Sequence, residues 1–176
     1  MTPAVATAAP PLQVDAIRDA AALAPLKAEW NSLLNSSRAP SLFLTWEWIR
    51  TWWDVYGGAS RLFVLAVRDA SGRLVGVAPF KSSRRAVGGV YRYNELEFIG
   101  QGGDVTPEYL DVIAATGYEA SVRAAILGRL ARDRSWGSIN LQPFSTMSPH
   151  LDGLARELGG QGIVQMDNRQ VCPVIE

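Results

Sequence analysis

Apolar residues recur at helical spacing in two early segments and then give way to unbroken apolar runs, so helices are predicted first and strands after them. Leu12-Gln13-Val14 has room only for a short strand. Asp19 is placed to cap a helix whose apolar positions Leu23, Leu26, Trp30, Leu33 and Leu34 fall on one face. The small and polar residues 35–40, ending in Pro40, stop it. A second helix is predicted from Thr45, as N-cap, to Tyr56, where Gly57-Gly58 ends it. Trp46, Ile49, Trp53 and Tyr56 make one stripe along this helix, and Trp48 and Trp52 make another.

Residues 61–69 then hold an unbroken apolar run, 62–67, bounded by charges, as in a strand buried on both faces. Ala70-Ser71-Gly72 turns the chain, and 74–80 returns as its hairpin partner. Pro79 cannot donate a ladder hydrogen bond, so this strand should weaken or face an edge there. Gly88-Gly89 leads to a strand over 91–99, followed by the glycine-rich loop 100–104. Residues 109–114 fit either a helix capped by 106–108 or a strand, and the short Leu-Asp-Val-Ile run before Thr116-Gly117 favours the strand. A helix over 118–134, a strand over 138–141 and a helix over 149–158 follow, the last with Ser148 as N-cap and Pro149 at its first position. Strands over 162–167 and 171–175 close the chain. This order predicts an α/β (α+β) chain with a mixed sheet and helices on both faces, in one module over residues 12–176 behind a disordered Ala/Pro/Thr leader, 1–11.

Composition narrows the chemistry. With 48% hydrophobic and 19% charged residues, the 176-residue chain is of globular type. Its 17 basic and 17 acidic residues cancel, which leaves no electrostatic footprint for nucleic acid. Cys172 is the only cysteine and His150 the only histidine, so neither an internal disulfide nor a Cys/His zinc site can be built, and no metal is expected. His150 reads as an exposed residue of a first helical turn. The leader lacks a basic segment and a long apolar core, and no stretch approaches 18 apolar residues, so neither a secretory signal nor a membrane span is expected and the cytoplasm is the default.

Particular residues then carry a resemblance: Trp30 with Leu33; Phe43-Leu44-Thr45-Trp46-Glu47-Trp48; Trp52-Trp53; Gly76-Val77-Ala78-Pro79-Phe80; Phe98-Ile99-Gly100; and residues 104–111. Together, over residues 12–176, they resemble GNAT-like acetyltransferases of the cellulose-biosynthesis-associated CelD/BcsL type, found with bacterial cellulose and exopolysaccharide genes. The resemblance implies a GNAT-like acyl-CoA N-acyltransferase fold, and transfer of an acyl group from acyl-CoA to an amine or hydroxyl of a sugar, polymer precursor or small metabolite. The transfer would be direct, with no covalent enzyme intermediate. Such proteins usually carry two modules in tandem, as the FemAB-type aminoacyl transferases do, with acyl-CoA mainly on the second. The chain therefore reads as the N-terminal module, partnered by a second GNAT-like module or another copy and inactive alone; the alternative is a non-catalytic binding or scaffolding module.

The resemblance also says where a coenzyme would sit, on backbone amides at a helix start within a Gln/Arg-x-x-Gly-x-Gly/Ala turn. The corresponding residues are Ala114-Ala115-Thr116-Gly117-Tyr118-Glu119, where only Gly117 matches and Glu119 places a carboxylate in the anion's way. Acetyl-CoA or another acyl-CoA is thus expected for a full-length protein and not for this module. Arg85-Ala86-Val87-Gly88-Gly89-Val90 matches in part, but it precedes a strand and supplies no helix amides. Candidate acceptor contacts are Gln101, Asp104 and Glu108 in the loop and Trp48 and Trp52 on the second helix. Tyr109 and Asp111, two apart on a strand, are candidates for proton transfer. Arg84 and Arg85 read as a solvated hairpin end.

Overall fold

A computed structural model of the protein describes residues 12–160 except 39, 106, 134 and 146. The predicted leader, the strands 162–167 and 171–175, and Cys172 lie outside the described residues. Strand β1 (Gln13–Ile17) leads to a 3-10 segment, Ala20–Leu26, and helix α1 (Lys27–Asn35). Asp19 caps the 3-10 segment by accepting from the Ala21 amide at 2.9 Å. The segment and α1 together cover the single helix predicted from Asp19. Helix α2 (Trp46–Tyr56) starts at Thr45, whose Oγ1 accepts from the Trp48 amide at 3.3 Å. Two indoles lock the helical layer: Trp30 Nε1 donates to the Leu44 carbonyl and Trp46 Nε1 to the Leu23 carbonyl, each at 2.8 Å. These bonds let tryptophan enter a core without stranding its N–H.

The sheet is mixed, in the order β1-β2-β3-β4-β6, with β2 spanning Ser60–Arg68, β3 Leu74–Val87, β4 Tyr91–Phe98 and β6 Ser138–Asn140. Neighbours are antiparallel except β4 and β6, which run parallel and are joined through helix α3 (Glu119–Arg132). The α1 and α2 helices lie on one face of the sheet. On the other, α3 approaches so closely that a Cβ at Gly76 would stand 2.5 Å from Val122. Helix α4 (Leu151–Gly159) packs on α3. The core centres on β2 and β3, where residues 62–67 and 74–81 are all buried.

One interruption in this sheet positions everything that follows. Phe98 pairs with Phe80 on β3, so an unbroken strand would bring residue 101 opposite Val77; Ile113 stands there instead. Twelve extra residues therefore leave the sheet after Ile99 and return as β5 (Ile113–Ala114), in line with β4. Pro79 sits at the break. Its carbonyl accepts from the Ile99 amide at 2.7 Å, on the side to which its own N–H would also point in an antiparallel strand. Proline thus lies in an interior strand and at no edge of the sheet; of the two outcomes expected, a weakened strand or an edge, the first fits, with the missing donor beside the break in β4.

Two further expectations change. Residues 109–112 lie outside the strand that was predicted over 109–114, since Tyr109 adopts a left-handed φ of 59° that breaks the pleat. His150 is 1% exposed, although a first-turn residue at the surface was predicted. Helix α4 starts at Leu151 with His150 at its N-cap position, two residues later than the start expected at Pro149, and Ser148 Oγ ahead of it accepts from the amides of His150 and Leu151 at 3.0 and 3.2 Å. The turn so fixed folds the imidazole inward, where the charges of Arg123 and Glu119 on α3 act on it. Among the described residues, no helix is long and apolar enough to cross a membrane.

Candidate functional site

The excursion between β4 and β5 walls a cavity of about 290 Å³ with α2 and the ends of β3 and β4. Its floor is a charged cluster built by cross-strand pairing. Lys81 lies directly opposite Glu97, and Ser83 opposite Ser60. Lys81 Nζ donates to Glu97 Oε2 at 2.8 Å, and Arg85 donates to Glu97 Oε1 at 2.6 Å and to Glu95 at 2.8 Å. Lys81 and Glu97 are each 4% exposed. Burial pushes the Glu97 carboxyl up, but the Lys81 ammonium, the Ser83 hydroxyl and the Arg85 guanidinium together hold it below the usual carboxylate range. The Lys81 ammonium also lies 5.5 Å from the centre of a Trp52 ring.

Two donors beside this cavity are left without partners. Trp52 Nε1 and Gln101 Nε2 are both buried and both unbonded. The Gln101 side chain is otherwise fixed, since its Oε1 accepts from the amides of Phe98 and Gln142 at 2.8 and 3.1 Å. That bond pair ties the start of the excursion to the chain after β6. Gly103 completes the wall against Tyr56, where a Cβ would come within 3.0 Å of the ring. A buried orphan donor costs on the order of 1–3 kcal/mol, so a cavity carrying two favours a ligand that brings oxygen acceptors.

The turn between β5 and α3 presents the opposite situation. Gly117 has the left-handed φ, 88°, that a tight turn before a helix demands. Its amide, however, donates to Glu119 Oε2 at 2.8 Å. Glu119 Oε1 also lies 2.8 Å from Arg38 Nε, in ion-pair contact but off the hydrogen-bond axis. Thr116 Oγ1 donates to the Ser36 carbonyl at 2.8 Å, latching the turn to the end of α1. The protein's own carboxylate occupies the place an anion would take.

With this geometry in hand, the molecule can be set beside known structures. A GCN5-related glucosamine N-acetyltransferase region of a fungal multi-domain GH3 beta-N-acetylglucosaminidase matches 93% of this chain at 14% identity and a TM-score of 0.50, the match covering 18% of that larger chain. The chain has the GNAT fold. A possible acetyltransferase from Clostridium difficile 630 is similar over 94% of this chain and 99% of its own, at 9% identity and a TM-score of 0.47. An aminoglycoside 6'-N-acetyltransferase from Acinetobacter baumannii is similar over 94% and 99%, at 10% and 0.46. At these identities the likeness is one of fold. No family model matches the sequence. No curated protein matches it either.

On this GNAT scaffold the candidates chosen from sequence separate into groups. Trp52 and Gln101 meet at the cavity. Trp48 instead supports the start of the excursion: its ring and Leu110 would lie 3.0–3.1 Å from a Cβ at Gly100. It also meets Phe43 edge to face at 5.4 Å. Asp104 and Glu108 are exposed on the excursion, and Tyr109 is 40% exposed. Asp111 is buried away from the cavity, with Oδ1 accepting from the Val112 amide at 2.7 Å and Oδ2 unbonded. Burial pushes its carboxyl up to about 7, against the opposing pull of the Ser148 hydroxyl and the Val112 amide. Tyr109 and Asp111 therefore do not share a face. Lys81, Glu97 and Ser83 escaped the sequence reading because 74–80 read as a strand ending at Phe80. The alternation of Lys81, Ser83 and Arg85, set against Glu95 and Glu97, was the available signal.

Proposed function

We propose that this module supplies the acceptor side of an acyl transfer from acyl-CoA to an amine or hydroxyl, and that the cavity beneath α2 receives the acceptor. The observation that carries this reading is the pair of buried, unpartnered donors, Trp52 Nε1 and Gln101 Nε2, beside a cavity on a GNAT fold. An acceptor rich in oxygens, such as a saccharide, satisfies both donors. Tyr56 offers it an aromatic edge, and Asp104 and Glu108 on the same excursion meet its outer face. The charged floor keeps Glu97 ionised, which suits holding an acceptor in place better than taking its proton.

The acyl donor belongs elsewhere in this reading. A coenzyme diphosphate needs free amides at a helix start, and the Gly117 amide is committed to Glu119. Acyl-CoA is then held by a second GNAT-like module, in the arrangement implied by the CelD/BcsL resemblance, with cellulose or exopolysaccharide synthesis as the setting. Two titrations of this chain followed by amide NMR test both halves. Glucosamine, as a saccharide bearing an amine, is expected to move the Trp52 indole N–H and the Gly102 and Gly103 amides. Acetyl-CoA is expected to leave the Gly117 and Glu119 amides still; a micromolar response there would overturn the division of labour.

A further inference from the structure

The β3–β4 hairpin continues beyond the body of the protein. Residues 84–92, Arg-Arg-Ala-Val-Gly-Gly-Val-Tyr-Arg, are all exposed, so this stretch stands out as a two-stranded ribbon with solvent on both faces. Gly88 and Gly89, at φ 60° and 74°, take the two central places of the turn from Val87 to Val90, within a three-residue connection between Val87 and Tyr91. The ribbon contains three arginines and no acid. Its end is apolar: Val87 is 60% exposed, Val90 89% and Tyr91 68%. A free two-stranded ribbon is marginal in water, and exposed valines at its tip gain nothing there.

The arginines are arranged as well as numerous. In the strand register Arg61 faces Ser82, Arg84 faces Asn94 and Arg92 faces Ala86, which places Arg61, Arg84 and Arg92 in a diagonal row on one side of the sheet. A concavity of about 210 Å³ lies along the row, lined by Arg61, Arg84, Ser82 and Asn94. Ten of the fifteen described lysines and arginines have an acidic partner. Of the five that do not, three are these. Arg85 points to the other side and is tied to Glu95 and Glu97.

We propose that this hairpin docks the protein on an anionic phospholipid surface, with Val87, Val90 and Tyr91 entering the interface and Arg61, Arg84 and Arg92 meeting headgroup phosphates. Spacing selects this partner. Strands rise about 3.3 Å per residue, so Arg92 stands back from Val90 by about 7 Å and Arg84 from Val87 by about 10 Å. Interfacial segments bury their apolar face about 5–10 Å into the headgroup and acyl boundary, which leaves the arginines at phosphate depth. An acidic protein groove would answer the charge without fixing that interval. The contact shares Arg84 with the lining of the cavity under α2 but uses neither Trp52 nor Gln101, so it does not depend on the acceptor reading.

Vesicle co-sedimentation tests it, using phosphatidylcholine alone and phosphatidylcholine with about 30% phosphatidylglycerol. Binding is expected only to the anionic vesicles and is expected to fall as salt is raised. Arg84→Gln and Arg92→Gln should each weaken it about fivefold, the effect of one cation near such a surface. Val90→Asp should weaken it at least as much. All three residues are exposed, so the melting temperatures should match the parent, and Arg132→Gln, an unpaired arginine on α3, should bind as the parent does. Failure to bind anionic vesicles, equal binding to neutral ones, or equal loss with Arg132→Gln would overturn the proposal. So would a concentration-dependent doubling of mass that Val90→Asp abolishes, since the tip would then be a contact between copies.

Discussion

The interior holds two polar clusters that meet the cost of burial in opposite ways. Beneath α2, charge answers charge: Lys81 and Arg85 hold Glu97 ionised although it is almost wholly buried. Between the β4–β5 excursion and the start of α4, charge is given up instead. Asp111 is pushed up to about 7 by burial, and His150 is pushed down to about 4 by burial and by the Arg123 charge, with Glu119 opposing. The difference follows from what the backbone supplies. Adjacent antiparallel strands place Lys81 and Glu97 side by side, whereas a loop that has left the sheet brings Asp111 to the Ser148 hydroxyl, with no cation acting on it. The Glu97 carboxyl, held below the usual carboxylate range, stays charged at physiological pH. The second cluster is neutral near pH 6 and responds to pH.

The largest effect should come from unbalancing the first cluster. Glu97→Gln leaves the Lys81 ammonium buried without its counter-charge, and breaking such a pair costs about 3–5 kcal/mol. Urea denaturation should show that loss. A paired Lys81→Met, Glu97→Leu replacement should recover most of it, because neither charge is then stranded. A Glu97→Gln variant within about 1 kcal/mol of the parent would mean that water reaches the pair freely and that the cluster is a surface feature.

The second cluster predicts two opposed slopes. Asp111 keeps its proton in the folded state up to about pH 7, while an unfolded aspartate loses it near 3.8. Its contribution is therefore greatest in acid and declines as pH rises from about 4 to 7, by about 4 kcal/mol in all. His150 runs the other way. An unfolded histidine holds a proton up to about 6.5 that the folded one has released near 4, so its contribution grows over that interval by about 3 kcal/mol. In the parent the two nearly offset between pH 4 and 6.5. Asp111→Asn should leave stability rising with pH, and His150→Phe should leave it falling. Parallel curves for both variants would show that neither group is buried as described.

The sequence conveyed more of the scaffold than of either cluster. Apolar periodicity and caps such as Asp19 and Thr45 act within a few residues of themselves, so the helices and the β2–β3 hairpin were legible. The break in β4 was not, because it depends on register between strands: Pro79 marks the gap only once Ile99 is known to lie opposite. For the same reason Trp52 and Gln101 were chosen as candidates on separate grounds, and the cavity that joins them was invisible. His150 was misjudged because a first helical turn is usually exposed, and nothing local reports that α3 packs over it.

The smallest effect lies between the two extremes and sharpens the contrast. Glu119 is neither fully buried nor free; the Gly117 amide and Arg38 both meet its carboxylate. Glu119→Ala removes a helix-start acceptor, and such caps are worth about 1 kcal/mol. Arg38→Ala should cost less, since its guanidinium is largely exposed and surface pairs contribute about 0–1 kcal/mol. The loss in Glu119→Ala should also persist in high salt, because an amide bond to a carboxylate is local where an ion pair is screened. Hydrogen exchange at Gly117 reads the same contact directly and should quicken in Glu119→Ala and hold steady in Arg38→Ala. If inorganic pyrophosphate then shifts the Gly117 amide in Glu119→Ala but not in the parent, the carboxylate itself is what closes this turn to phosphate. If neither chain responds, the latch of Thr116 to Ser36 shapes the turn against a diphosphate even when its amide is free.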